Sequence, residues 1–151
     1  MKMIMTQHHG WTALVMAAAL FLGASVEAAP NAETYKTRLS VVPLDVGMQA
    51  TVAGQGSVTA TLAGNKLTVS GTAEGLRSPA TVVHIHRGPP GIPGPAILDL
   101  TITNTTTPTI GGTVDLTPSM VDDLKNGRLY VQLSSERAPD GNLRGWLMHA
   151  N

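Results

Sequence analysis

The sequence predicts an all-β fold: a single antiparallel β-sandwich with Greek-key-like connections and one short helix near residues 118–126. Three observations point there. Short runs of Val, Ile, Leu and Thr alternate with a period of two, the signature of half-buried strands. Gly, Pro and Asn break these runs at regular spacing, with 16 Gly and 10 Pro in 151 residues. Aromatics make up only 3%, so aliphatic side chains must build the core.

The chain opens with a targeting segment. Lys2 is the only charge before Glu27, and Trp11–Val26 is an apolar run. That run is short for a membrane span, which needs about 20 residues. Small or aliphatic residues close it at Val26-Glu27-Ala28. Together these features describe a secretory signal over 1–28, cleaved after Ala28, with one domain over 29–151. The expected location is therefore secreted or periplasmic, with no membrane span after cleavage. His8 and His9 fall in the leader and are set aside.

The strands follow in order. Thr37–Val42 is the first. Ser57–Leu62 and Lys66–Ala73 alternate cleanly and flank Gly64-Asn65, which reads as a hairpin turn. Thr81–His86 (TVVHIH) and Ala96–Ile102 (AILDLTI) come next. Ile110–Leu116 carries Gly111-Gly112, a bulge or bend. Arg128–Leu133 and Leu143–His149 complete eight strands, a number and spacing suited to a sandwich or barrel.

One helix interrupts them. Thr117 can cap it, Pro118 suits its first position, and Asn126-Gly127 can end it. Met120, Val121 and Leu124 share a helical face. A single helical turn within a loop is the alternative. Gly88–Pro95 places Gly at 88, 91 and 94 in a collagen-like pattern. Three triplets cannot sustain a triple helix, so a stiff, extended loop projecting from one end is expected.

Composition excludes several functions. Ten basic and ten acidic residues give zero net charge, which argues against a nucleic-acid partner. The absence of Cys removes disulfides, thiolate metal sites and a Cys nucleophile. Ser134-Ser135 lacks the Gly-x-Ser-x-Gly setting of a hydrolase nucleophile. Phosphate loops, dinucleotide fingerprints and paired catalytic carboxylates are also missing, so no enzyme activity is expected.

His84 and His86 carry the most chemistry. Two residues apart on a strand, both imidazoles lie on one face, away from Val83 and Ile85. That spacing suits copper or zinc, with His149 as a third ligand and Asp99, Asp140 or Glu136 as oxygen donors. The alternative is structural: the histidines hydrogen-bond the backbone of the Gly88–Pro95 loop and fix it. Arg144, alternating with Trp146, is expected to pair with a carboxylate on the neighbouring strand. Pro139–Asn142 reads as a turn near solvent.

Four runs resemble the CHRD (chordin) domain in order and spacing: Val83–Pro89 (VHIHRGP), Gly94–Leu100 (GPAILDL), Leu124–Val131 (LKNGRLYV) and Ala138–Trp146 (APDGNLRGW). The resemblance covers roughly Tyr35 to Leu147. It implies an extracellular or periplasmic β domain of the free-standing secreted type. Its role would be a non-enzymatic binding or structural module for an unknown protein partner or metal ion. Contact through the Gly88–Pro95 and Ser134–Asn142 loops, at one end of the sandwich, is expected. The family's His-x-His also resembles a strand motif of copper–zinc superoxide dismutases. Two positions depart from the family: Ser134 stands where a further His is usual, and Asn142 replaces a Glu.

Overall fold

The structure, a computed structural model, describes residues 31–151. The expected leader, 1–28, lies outside the described residues. The element order is β1 (Glu33–Val41), β2 (Gln55–Ala63), β3 (Lys66–Glu74), β4 (Ala80–Arg87), β5 (Ala96–Ile102), β6 (Thr109–Asp115), α1 (Pro118–Lys125), β7 (Leu129–Ser135), β8 (Ala138–Trp146) and β9 (Met148–His149). A short 3-10 turn, Met48–Ala50, sits between β1 and β2.

All-β chemistry holds, but the sandwich does not. The strands follow the order β2-β3-β6-β5-β4-β7-β8-β1, and β1 pairs back onto β2, closing an eight-strand barrel. The two-residue β9 adds to β1. Two four-strand walls remain recognisable, β1-β2-β3-β6 and β5-β4-β7-β8, because their seams are short. Only Thr101 and Ile102 of β5 pair with β6, and only Ser40 and Val41 of β1 pair with β8. Period-two alternation specifies which face is buried in a sandwich and in a barrel alike. It does not encode these few seam pairs, which decide closure.

The inward residues fill the barrel mainly with aliphatic side chains, joined by Tyr35 of β1. Val58, Ala60 and Leu62 of β2 meet Leu67 and Val69 of β3 from one side. Val83 and Ile85 of β4 join Leu129, Val131 and Leu133 of β7 from the other. Eight strands leave an interior that side chains of this size just fill. Within α1, Thr117 Oγ1 accepts from the Met120 amide at 3.3 Å and Pro118 takes the first turn. Gly127, at φ +66°, provides the left-handed exit. Leu124 is fully buried in the core, and Met120 and Val121 pack against its edge. The helix is thus complete, not a single turn.

Two local expectations are overturned. Pro139–Asn142 is not a solvent turn but part of β8, and Asn142 is fully buried, its Nδ2 donating to Ser135 Oγ at 2.9 Å. Leu133 pairs with Leu143 and Ser135 with Ala138, so β8 carries extra residues here that bulge out of the ladder. Nor does Gly88–Pro95 project freely. The Ile92 amide donates to Pro89 O at 2.9 Å, and the Arg87 amide reaches Pro95 O at 3.0 Å. A Cβ on Gly94 would collide with Arg87 O, and one on Gly88 with Ile92 O. Glycine permits this close return of the chain.

Candidate functional site: an outer face held by a pinned loop

The outward side chains of β5-β4-β7-β8 form two rows. Strand register aligns Asp99, His84, Gln132 and Arg144 across the four strands. A second row runs His86, Tyr130, Trp146. Alternation places all of them opposite the core residues Val83, Ile85, Val131 and Leu143.

The second row pins the loop. Tyr130 is 1% exposed although it faces outward, because the loop and its neighbours cover it. Its hydroxyl donates to Gly94 O and accepts from Gly94 N, both at 2.9 Å. Trp146 Nε1 donates to Gly88 O at 2.9 Å. His86 Nδ1 lies 2.9 Å from Gly94 O. A carbonyl only accepts, so Nδ1 carries the proton and Nε2 holds the lone pair of the neutral ring. The His86 and Tyr130 rings stack at 4.9 Å and 19°, and Trp146 lies 4.8 Å from Tyr130. The structural alternative for the histidines, fixing the loop backbone, is realised by His86.

Burial pushes the His86 pKa down. The Gly94 hydrogen bond works the other way, and the charges of His84 and Arg144 lower it further. The ring is therefore neutral at pH 7. His84 is half-buried, with Nε2 3.4 Å from Asp99 Oδ1. That carboxylate is 91% exposed, so the contact contributes little.

In the first row, Arg144 does not form the carboxylate pair expected of it. Its Nε donates to Gln132 Oε1 at 2.8 Å, and its guanidinium carbon sits 5.4 Å from the Tyr130 ring centre. Gln132 Nε2 donates in turn to Asp140 O in the β8 bulge at 3.3 Å. The loop and the bulge therefore border this face from opposite ends, because His86 pairs with Tyr130 while Ala80 pairs with Ser135. They do not share one end, as the sequence suggested.

The structure brings His84 and His86 together, with ring centres 6.0 Å apart. It does not bring His149 to them. His149 pairs with Tyr35 of β1, its ring edge-on to Tyr35 at 5.4 Å. Strands β7, β8 and β1 separate β9 from β4. Among the described residues, no three His, Cys, Asp or Glu side chains gather as a metal ion would need. Ser134 faces Val82 on the same outer side and is buried. Glu136 lies in the β7–β8 turn, where its amide donates to Pro79 O.

Sequence reasoning missed Gln132 and Tyr130 as parts of this site. Their signal was present in Tyr130-x-Gln132, which repeats the two-residue spacing of His84-x-His86. It also missed the ionic clamp beneath α1. There Asp123 accepts from Arg128 Nε at 2.9 Å, and Arg87 Nε approaches it to 2.6 Å, off the hydrogen-bond direction. That clamp joins β4, α1 and the start of β7, and so fixes the lower end of the loop.

A wider, open depression of about 660 Å³ lies on the other wall, lined by Arg38, Gln55, Ser57, Thr72 and Glu74. Its side chains bond mainly to each other, Arg38 to Gln55 at 3.1 Å and Gln55 to Glu74 at 3.0 Å. Volume alone does not make it the better site, because its polar groups are exposed and already partnered. No helix among the described residues is long and apolar enough to cross a membrane. Comparison with curated proteins and with solved structures finds no match. The family model of the CHRD domain matches residues 36–147, which is most of the chain and contains every residue of both rows; the chain belongs to the CHRD-domain family.

Proposed function

We propose that this chain is a secreted or periplasmic, non-enzymatic binding module, and that its partner meets the outer face of β5-β4-β7-β8. One observation carries the reading: polar and aromatic side chains there are held in fixed orientations by a pinned loop and a bulge. Such pre-organisation lowers the ordering cost of association. Family membership supports a binding or structural role over a catalytic one. A photo-crosslinking residue at Gln132, compared with one at Thr68 on the other wall, tests the face in cells that export the protein. Adducts from position 132 alone support it. Equal adducts from both positions, or none from 132, contradict it.

A second reading, copper or zinc binding, draws on the paired rings and on the lone pair that the Gly94 bond leaves at His86 Nε2. Hydrogen-bonding the far nitrogen to a carbonyl is how proteins orient a ligating histidine. His84 and His86 would be two ligands, and His149 would have to reach them from the other wall. Stoichiometric copper or zinc on the purified protein after dialysis supports this reading. Metal-free protein that stays indifferent to added copper rejects it.

A further inference from the structure

We propose that the outer face of β5-β4-β7-β8 is a carboxylate-binding site, with Arg144 as its fork, held by Gln132 and Tyr130. The proposal rests on the reading of this face as the binding surface and names the ligand chemistry.

Arg144 is the starting point. It is half-buried, and among the described residues no carboxylate lies within ion-pair distance of it. Other cations are paired or exposed. Arg87 and Arg128 share Asp123, Lys66 meets Asp115, and Lys125 meets Glu33. Arg38, Arg77 and Arg137 stand in solvent. A partly desolvated guanidinium without a counter-charge is costly, and an incoming anion relieves that cost.

Its plane is also set in advance. Gln132 holds Nε, and Gln132 is itself held by Asp140 O. The Tyr130 ring lies against the guanidinium carbon. The two terminal amino groups have no protein partner among the described residues. Parallel donors of this kind match the two oxygens of a carboxylate. The positive charge of Arg144 also disfavours a metal cation beside it.

The test is an NMR titration of the exported protein, following Arg Nε–H signals. The probes are glutarate and a blocked tetraglutamate peptide. Expected are saturable shifts at Arg144. Arg144→Gln should weaken binding by roughly tenfold or more, the scale of one lost charge-assisted interaction. Arg144→Lys, which keeps the charge and loses the fork, should fall between and covers the case in which Arg144→Gln does not fold. Arg38→Gln on the other wall should bind as the parent does. Tighter binding of the peptide supports the site and points to an acidic protein segment. Equal binding supports it and points to a free carboxylate. No saturable shift, or equal affinity in parent and both Arg144 variants, overturns the proposal. If crosslinking from Gln132 persists while the probes fail, the carboxylate falls and the face stands. If the probes bind and crosslinking fails, the site stands without a macromolecular partner.

Discussion

The two walls of the barrel are built alike inside and differently outside. Inward, both present Val, Leu and Ile to one core. Outward, β2 and β3 carry rows of small hydroxyls, with Thr61 facing Thr68, Thr59 facing Ser70 and Ser57 facing Thr72. The other wall carries His84, His86, Tyr130, Gln132, Arg144 and Trp146; His86, Tyr130 and Trp146 bond the loop, and Gln132, which holds Arg144, bonds the bulge. Short hydroxyls satisfy a solvated β surface and need no partners. Long aromatic side chains held at fixed angles cost conformational entropy, and on the outer faces they are concentrated on this second wall. On the proposed reading, the second wall is the one that meets a partner.

The comparison breaks most severely at the seam. A Cβ at Gly145 would meet Thr37 Oγ1 and the Arg38 carbonyl of β1 well inside contact distance. Gly145→Val should cost about 3 kcal/mol or more, or prevent folding, since backbone cannot move aside cheaply. Denaturant unfolding measures it.

Tyr130→Phe removes both bonds to Gly94 while leaving the stack. It should cost about 1–2 kcal/mol and raise amide exchange in 88–95 above that in the Gly64-Asn65 turn of the other wall. Unchanged exchange would mean that the loop is not pinned by this wall.

Asn142→Ala should cost about 1 kcal/mol by denaturant unfolding. It deletes the bond to Ser135, but also Oδ1, which is buried without a partner, so the two effects offset in part. Gly145→Val thus remains the more damaging change. The reason is the collision at β1, not exposure of Asn142.

Acid should act through the same wall. Folded His86 holds its proton less readily than an unfolded histidine. Its contribution is therefore complete above the ordinary value of 6.5 and is lost as pH falls through the lowered folded value. The melting temperature of the parent should fall over that window. His86→Gln, which can still donate to Gly94 O, should flatten the decline there. A further decline at lower pH comes from Glu33, whose pKa the Tyr35 hydroxyl, and then Lys125, hold down. That stability is present above the usual carboxylate value and goes as pH drops through the lowered one. Smallest of all, Thr68→Val on the hydroxyl wall should stay within about 0.5 kcal/mol.

Much of this was legible in the sequence. The alternation through Val58, Ala60 and Leu62 located β2, and Thr117-Pro118 with Asn126-Gly127 located α1, because local patterns and caps report local structure. His84 and His86 were found on the outer face for the same reason. Closure into a barrel was not legible, since it rests on a few pairs between residues far apart in the chain, such as Ser40 with Arg144. The β8 bulge was missed because Pro-Asp-Gly-Asn carries turn chemistry, and tertiary packing of Asn142 against Ser135 overrode it. The loop was misjudged because three anchors, Tyr130, His86 and Trp146, come from three different strands.

The most direct test of the pre-organised wall is the tautomer of His86. Long-range ¹H–¹⁵N spectra of the histidine rings at about pH 7 report which nitrogen carries the proton. The account predicts a single neutral His86 species protonated at Nδ1, with Nε2 as the lone-pair nitrogen. It also predicts that loss of the Gly94 contact in Tyr130→Phe shifts that balance. A His86 protonated at Nε2, or averaging between tautomers as a free imidazole does, would show that the loop does not hold the ring and would contradict the account.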